Sequence, residues 1–291
     1  MRKYSLLSLF VLLSLGLVVA CGDNQTFPVD RDDYMPADTE PLACIPNLDG
    51  RIEAHELQAA YGVSVSYLIS PAGEARAVDL VGSEQGGKRR WDWGADYESD
   101  QVARLAAEEL AGKWYAADFP AGQFVTDFDA GGTVESVYSL DSAGLHLHGL
   151  ASAEENPADG QTLMVYNSPV LLYRFPIEVG SSHVSVGQVQ NGMFRGLPYA
   201  ARDTYEVDVD AAGELVLPDV TFTQALRIRV RSVIEPSVGQ SVSQRQVSYM
   251  FECFGEVARA TSRIDEPDED FTNAIEVRRL GLGLSQDSLH L

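Results

Sequence analysis

The feature that most constrains the fold is a series of short segments, from residue 114 to residue 279, in which apolar and polar residues alternate. A period of two places successive side chains on opposite faces of an extended chain, so each segment predicts a β-strand. The stretch Arg227-Ile228-Arg229-Val230-Arg231 alternates cleanly and predicts a strand with one solvent-exposed face. Glycine, proline and aspartate punctuate the segments. We therefore predict a mainly β (α+β) fold, an antiparallel meander forming a curved sheet, a half-barrel or a sandwich, with one or two short helices.

The predicted elements follow from this alternation and from capping signals. An Asp-Gly turn opens a short helix over 53–61. A second helix is predicted over 100–110, because Ser99 or Asp100 offers an N-cap and Gly112 a C-terminal stop. The predicted strands span residues 63–70, 77–81, 123–128, 133–140, 145–151, 162–166, 170–175, 183–190, 204–210, 214–217, 224–234, 241–254, 256–263 and 272–279.

The N-terminus has the order of charge, apolar core and small residues that an export signal requires. Arg2 and Lys3 precede an apolar stretch over 6–19, which is shorter than the roughly 20 residues of a membrane-spanning helix. Residues 17–21, Leu-Val-Val-Ala-Cys, resemble the signal peptidase II lipobox of bacterial lipoproteins. An ordinary signal peptide cut near Ala20 and an uncleaved helix are the alternatives.

The lipoprotein resemblance implies cleavage before Cys21, a diacylglyceryl group on its sulfur and an acyl chain such as palmitate on its new amine. Each buried methylene contributes about 0.8 kcal/mol, so two or three chains would hold the protein essentially permanently. Gly22, instead of aspartate, follows the cysteine and favours sorting to the outer membrane. We therefore expect a protein anchored by lipid that faces the periplasm or the cell surface, with the membrane as its partner through Cys21.

Four regions follow from this interpretation: a signal peptide over 1–20, a disordered acidic tether over 21–43, one β-rich domain over 44–280 and a loose tail over 281–291. The tether has too few apolar residues to order itself. Loss of two basic residues with the signal changes the formal net charge from −22 to −24. Such an acidic surface repels the phosphate backbone of a nucleic acid, so we expect no nucleic-acid partner. The alternative reason for the charge is solubility alone.

Two cysteines remain once Cys21 is lipidated. An even pair in an oxidising compartment is typical of a disulfide, and we predict a bond between Cys44 and Cys253. It would close a loop of about 210 residues and contribute up to ~5 kcal/mol in the chain-entropy model. The alternative is a pair of buried free thiols.

No metal site is predicted, although one segment partly fits an EF-hand loop. With Gly50 at the sixth position, Asn47, Asp49 and Glu56 take positions three, five and twelve and are the candidate calcium ligands. Position one is then Ile45, which has no side-chain oxygen, so one ligand is missing. The alternative interpretation is a turn that opens the first helix. We expect no cofactor.

A loop predicted over 82–97 holds the basic cluster of the mature chain together with two tryptophans. Arg90, Trp91 and Trp93 are the candidate ligand-binding residues, because exposed tryptophans beside arginines could stack on a sugar or grip a lipid head group. The alternative is that these aromatic side chains plug the core under a long loop.

Two later segments resemble parts of bacterial secreted proteins of unknown function. Residues 170–180 end a strand at an apolar-proline corner, and residues 249–257 form an aromatic-rich hairpin that turns at a glycine. Those proteins are similar to open, half-barrel periplasmic lipoprotein carriers. The resemblance implies one curved antiparallel sheet around an apolar hollow, and no functional residue transfers with it.

The sequence contains no G-x-S-x-G, H-E-x-x-H or P-loop motif. We expect a non-enzymatic, lipid-anchored binding or carrier protein, or one that takes part in envelope assembly, with an apolar or amphiphilic ligand in the hollow of the sheet. A surface structural or adhesion module is one alternative, and a hydrolase with an unrecognised acidic site is another. The sequence specifies no oligomeric state.

Overall fold

A computed structural model describes residues 44–61, 65–128 and 131–281. Strands take up 57% and helices 3% of the described residues, so the predicted mainly β fold is confirmed. The predicted signal peptide, Cys21, the tether and residues 282–291 of the predicted tail lie outside the described residues. Residue 281, assigned to the tail by the sequence, ends the last strand.

The described residues form nineteen strands, one α-helix and one 3-10 turn. In chain order they are β1 (Arg51–Ile52), α1 (Ala54–Tyr61), β2 (Val65–Ile69), β3 (Arg76–Ala77), β4 (Ser83–Gln85), β5 (Lys88–Asp92), β6 (Gln101–Leu105), β7 (Glu108–Glu109), the 3-10 turn (Ala116–Asp118), β8 (Phe124–Asp127), β9 (Val134–Leu140), β10 (Gly144–Ser152), β11 (Leu163–Arg174), β12 (Ile177–Glu178), β13 (Ser182–Phe194), β14 (Leu197–Val216), β15 (Thr221–Pro236), β16 (Val242–Phe251), β17 (Gly255–Thr261), β18 (Asn273–Ala274) and β19 (Glu276–Gly281).

Most of these strands belong to one curved, unclosed sheet. Its order is β6-β2-β19-β17-β16-β15-β14-β13-β11-β10-β9-β8-β7, and neighbours along this path pair antiparallel where their register is given. The hairpin of β4 and β5 joins the sheet differently from the predicted meander, because β5 pairs in parallel with the end of β14.

The two edge strands of this path, β6 and β7, are consecutive in the chain and are separated only by residues 106 and 107. The three peptide units that join the end of β6 to the start of β7 span at most about 11 Å, so these two strand ends lie close together. Thirteen strands laid side by side would extend over roughly 55–60 Å. The sheet therefore has to curl until its two edges approach each other.

Contacts across the curl identify its concave face. The side chains of Tyr173 on β11 and Ser248 on β16 lie close enough to interact, although three strands lie between them in the sheet. An apolar cluster fills this side, and the N-terminal segment adds Ile52 and Leu57 to it. The other members are Leu145, Ile177, Val207, Val209, Leu226, Ile228 and Met250.

The convex face has its own apolar cluster around Trp91. Side chains alternate along a strand, so Tyr249 points away from the concave face that Ser248 occupies. The ring of Tyr249 meets those of Trp91 and Trp93 edge-on, with centroids 4.9 and 5.0 Å apart. Burial of a large apolar side chain contributes roughly 1.5–3 kcal/mol. This cluster therefore holds β5 against the end of β14.

The helix predicted over residues 100–110 is wrong, because these residues form the edge strands β6 and β7. Asp100 does not cap a helix. Its carboxylate accepts hydrogen bonds from the guanidinium groups of Arg76 and of Arg279, the latter at 2.6 Å. β6 pairs with β2 along its whole length. Long-range ion pairs and an available sheet edge thus override a local helix signal.

Several predicted strands merge into longer ones. Those over 162–166 and 170–175 form the single strand β11, and those over 204–210 and 214–217 form β14. Register shifts in both strands absorb the residues that resemble turns, because a bulge inserts an extra residue without ending a strand. Turn signals in the sequence therefore mark bulges here instead of strand ends.

The N-terminal elements also differ in part from the prediction. The helix predicted over 53–61 is confirmed as α1. The strand predicted over 77–81 is reduced to the two-residue β3, and the loop predicted over 82–97 contains β4 and β5.

The predicted disulfide between Cys44 and Cys253 is confirmed, with Cα atoms 5.5 Å apart, a usual separation. It joins the N-terminal segment to the turn between β16 and β17. Beside it, the backbone N–H of Leu48 donates to the carboxylate of Glu252 at 2.7 Å. The bond therefore holds the segment that carries α1 against the sheet.

Replacement of both cysteines, in the variant Cys44→Ser/Cys253→Ser, should lower the free energy of unfolding by about 2–5 kcal/mol, because the bond closes a loop with a sequence separation of 209 residues. Urea unfolding followed by tryptophan fluorescence measures the difference. Dithiothreitol should lower the urea midpoint of the wild type and leave that of the variant unchanged. Equal midpoints for the oxidised wild type and the variant would contradict this prediction.

Candidate functional site

The concave face is closely packed around Tyr173. A recess of about 10 Å³ lies beside this residue, next to Ile177 and Val207, and such a volume holds a single water molecule. Burial raises the pKa of Tyr138 and Tyr173 above the ordinary tyrosine value and that of Tyr205 to about 12. These neutral phenols belong to a packed polar and aromatic core on the face where the resemblance implies an apolar hollow.

A much larger groove, of about 370 Å³, lies on the convex face across β13, β14, β15 and β16. Pockets for small ligands have volumes of roughly 300–1,000 Å³. The groove combines exposed apolar surface with both signs of charge, and we take it as the candidate functional site. Its lining includes Val184, Glu206, Asp208, Arg229, Arg231, Arg245, Val247 and Glu269.

The register of four antiparallel strands builds the groove as two rows that cross the sheet. Residues two apart on one strand share a face, so the alternation at 227–231 points its arginines to the convex side. Directly paired residues then line up across neighbouring strands. The outer row consists of Val184, Glu206, Arg231 and Arg245, and the inner row consists of Ser182, Asp208, Arg229 and Val247.

The inner row is held by a carboxylate that two arginines share. Arg227 donates to both oxygens of Asp210, at 2.8 and 2.6 Å, and Arg229 donates to one of them at 2.7 Å. Arg229 also donates to the carboxylate of Asp270 and to the carbonyl of Glu269. Burial opposes ionisation of Asp210, but the hydrogen bonds from the guanidinium groups outweigh it and lower its pKa. The Arg229 side chain is therefore fixed.

Asp208, two residues from Asp210 on the same strand, lies in an environment that disfavours its charged form. The arginine directly opposite, Arg229, pairs with Asp210 and Asp270. This leaves Asp208 with no ion-pair partner in the part of the chain that the structure describes. Burial, with repulsion from Asp210 and Glu269, raises the pKa of Asp208 above its usual range. The groove thus contains a carboxylate whose charge is not neutralised by a direct contact.

The outer row is held more loosely. Arg231 lies 3.2 Å from Glu206, and Arg245 lies 3.7 Å from Glu269, beyond hydrogen-bonding distance. Arg245 also donates to the carbonyl oxygens of Glu266 and Pro267, at 3.0 and 3.2 Å, which hold its guanidinium group in place. Ion pairs with exposed carboxylates contribute little to stability. The glutamate partners of the outer row are therefore able to leave its guanidinium groups.

Comparisons with protein-family models, with curated proteins and with solved structures found no match. Among the residues that the structure describes, no helix has the length and apolar character needed to cross a bilayer. The geometry and charge of the groove, together with the sequence, are therefore the basis for a functional interpretation.

The predicted ligand-binding residues near β5 do not line the groove. Trp91 and Trp93 are 0% and 6% exposed, and their indole N–H groups donate to backbone carbonyls at 3.1 Å. Arg90 forms an ion pair with Glu214 on β14. These aromatic side chains belong to the core, as the alternative interpretation expects.

The candidate calcium ligands bind their own backbone. Asn47 accepts a hydrogen bond from the N–H of Asp49 at 2.8 Å, and Asp49 accepts one from Arg51 at 3.0 Å. Glu56 is buried and accepts the N–H of Glu53 at 2.8 Å. Within the described ranges, no group of three or more His, Cys, Asp or Glu side chains is arranged to hold a metal ion.

The sequence singles out only part of the groove. The alternation at 227–231 predicts the exposed face that carries Arg229 and Arg231. Arg245 lies in the strand predicted over 241–254, where nothing local shows which residue of β15 it faces. Glu269 follows the last long strands in a segment without alternation. The strand register and the return of the segment around Glu269 bring these residues together.

Replacement of Asp210 by asparagine should lower the free energy of unfolding at pH 7 by about 1–3 kcal/mol, because it removes charge-assisted hydrogen bonds to two guanidinium groups. A carboxyl group with a lowered pKa stabilises the fold above its unfolded-state pKa of about 3.9, and this contribution is lost as the pH falls through the folded-state value. The difference between wild type and variant should therefore shrink below about pH 4. Urea unfolding at neutral and acidic pH measures it.

Asp208→Asn is the matched control, on the same strand two residues away. The pKa of Asp208 is raised, so its ionisation costs stability as the pH rises through the folded-state value. The substitution should leave the free energy of unfolding at pH 7 unchanged or increase it. A loss in Asp210→Asn that does not vary with pH, or equal losses in both variants, would show that the assigned electrostatics are wrong.

Proposed function

We propose that this chain is a lipid-anchored, extracytoplasmic binding protein without a catalytic role, and that it binds an amphiphilic ligand in the convex groove. The observation that carries the proposal is a groove of about 370 Å³ in which the exposed side chain of Val184 lies in line with charged residues. An apolar part of the ligand would cover Val184, which is 65% exposed, and a polar part would meet the charged residues. Amphiphilic ligands need both kinds of surface.

The groove takes the place of the predicted hollow as the ligand site. The concave side is occupied by an apolar cluster and by neutral tyrosines, and its recess at Tyr173 has a volume of about 10 Å³. The convex groove is open to solvent and falls within the range of known ligand pockets. Binding there requires no rearrangement of the core.

Two features support the proposed location, namely the lipobox-like residues and the disulfide of the N-terminal segment. The lipobox-like residues 17–21 support acylation of Cys21. The disulfide between Cys44 and Cys253 is of the kind that persists in an oxidising compartment. Both observations favour a protein held at a membrane and facing the periplasm or the cell surface, and Gly22 after the cysteine favours the outer membrane. A part in envelope assembly is compatible with the same location.

The alternative functions receive less support. An adhesion module would be favoured by exposed tryptophans, but Trp91 and Trp93 are buried. A hydrolase with an acidic site needs a free carboxylate as base or nucleophile next to a second carboxyl group as acid. Asp208 is free, but both oxygens of the neighbouring Asp210 accept hydrogen bonds from arginines. This pair therefore lacks an available second group.

The mature chain, residues 21–291, with Cys21→Ala should enter the aqueous phase of a Triton X-114 partition, whereas the acylated wild type enters the detergent phase, because the acyl chains provide the membrane affinity. Mass spectrometry of the wild type should show the added lipid on Cys21. The variant Cys44→Ser/Cys253→Ser is the control and should stay in the detergent phase. Aqueous partition of the wild type, with residues 1–20 still attached, would contradict the anchor.

Filling the groove should weaken binding of an apolar probe. The mature chain, residues 21–291, with Cys21→Ala should enhance the fluorescence of N-phenyl-1-naphthylamine, and Val184→Trp should raise the apparent Kd about tenfold or more, since the new indole occupies the groove. Val102→Trp, at a similarly exposed valine on the edge strand β6 (61% against 65%), is the matched control and should bind as the parent does. No enhancement by the parent protein would overturn the proposed binding function.

A further inference from the structure

Two arginines of the outer row face each other directly. Arg231 on β15 and Arg245 on β16 are cross-strand partners. Like charges at such a position repel and destabilise a sheet unless an anion lies between them. The side chains are 37% and 19% exposed, so both remain within reach of a molecule in the groove.

The carboxylates beside this pair neutralise it only weakly. Glu206 and Glu269 lie 3.2 and 3.7 Å from their arginines and are 47% and 71% exposed. Beside the inner row, by contrast, the carboxylate of Asp210 makes hydrogen bonds of 2.6–2.8 Å to Arg227 and Arg229. A ligand anion can therefore displace the glutamates of the outer row more easily than it can displace Asp210.

We infer that the ligand carries an oxyanion, a carboxylate or a phosphate, that bridges Arg231 and Arg245; this inference rests on the proposed function of the groove. The planar guanidinium group offers paired donors that match the oxygens of either anion. The apolar part of the ligand extends along the outer row toward Val184, which is two strands from Arg231 and thus about 10 Å away.

The inner row orients the ligand. An anion placed there meets Asp208, whose charge has no ion-pair partner among the described residues, and the carboxylate of Asp210. Repulsion at the inner row leaves the outer row as the position for the oxyanion. A cationic head group is the competing case, because Glu206, Asp208 and Glu269 also line the groove.

Displacement of N-phenyl-1-naphthylamine from the mature chain, residues 21–291, with Cys21→Ala tests the inference. The competitors share a twelve-carbon chain and differ in their polar end. They are dodecanoate, dodecyl phosphate, dodecanol and dodecyltrimethylammonium, each used below its critical micelle concentration or, for dodecanol, below its solubility limit. We expect at least one of the two anions to displace the probe at a concentration about tenfold lower than dodecanol, and the cation to have no such advantage. The anion that displaces the probe at the lower concentration, dodecyl phosphate or dodecanoate, identifies which oxyanion is preferred.

The variants Arg231→Gln and Arg245→Gln should each reduce this advantage, and the double variant should abolish it. Arg202→Gln is the matched control, because Arg202 is an exposed arginine on the convex side of β14 outside the groove. It should keep the full preference for the anion. Near-UV circular dichroism and binding of the neutral probe report whether each variant remains folded.

The outcomes separate this inference from the proposed function. If the probe binds and dodecanol competes as well as the anions do, the oxyanion site is overturned while the binding function stands. An advantage that survives in the double variant, or a preference for the cation, also overturns it. If the probe does not bind the parent protein at all, the proposed function itself fails.

Discussion

The pairing of β14 with β15 determines on which side of the sheet the charged residues of the groove lie. Their register runs from Ala201 opposite Pro236 to Val216 opposite Thr221. A slip of one residue would turn the three arginines of 227–231 into the concave apolar cluster and expose Ile228. Burial of a guanidinium group without a partner costs several kcal/mol. The alternation of this one strand therefore fixes the register of the sheet and, through it, the position of the groove.

The same arginines connect the groove to the tryptophan cluster. Arg227 donates to the carbonyl of Leu80, which also accepts the indole N–H of Trp91, and its guanidinium group lies 5.2 Å from the centre of the Trp91 ring. Asp210 then joins Arg227 to Arg229. The inner row is thus built into the core, whereas the outer row pairs with exposed glutamates. Because the side chains of the inner row are already fixed, fewer side chains have to be ordered when a ligand binds, and the entropic cost of binding is smaller.

The sequence predicts those features that depend on local periodicity or on simple counting. The alternation at 227–231 predicts a strand with one exposed face, and the even pair of cysteines predicts the disulfide. The helix over 100–110 is predicted wrongly, because capping residues are also good partners for distant arginines, and Asp100 pairs with Arg279 across 179 positions. The groove is not predicted, because it depends on which residue of β16 faces Arg231 and on where the segment around Glu269 returns.

The acidic composition limits what the arginines of the outer row can select. The formal net charge of −22 opposes the approach of anions from a distance. At physiological ionic strength this field decays over about 8 Å, so direct contact with Arg231 and Arg245 decides binding inside the groove. A polyanion would extend past the outer row and meet the unneutralised carboxylate of Asp208 and the acidic surface beyond it. A ligand with one anionic end and an apolar remainder avoids that repulsion. The net charge of the chain and the lining of the groove therefore both favour an amphiphile with a single anionic group.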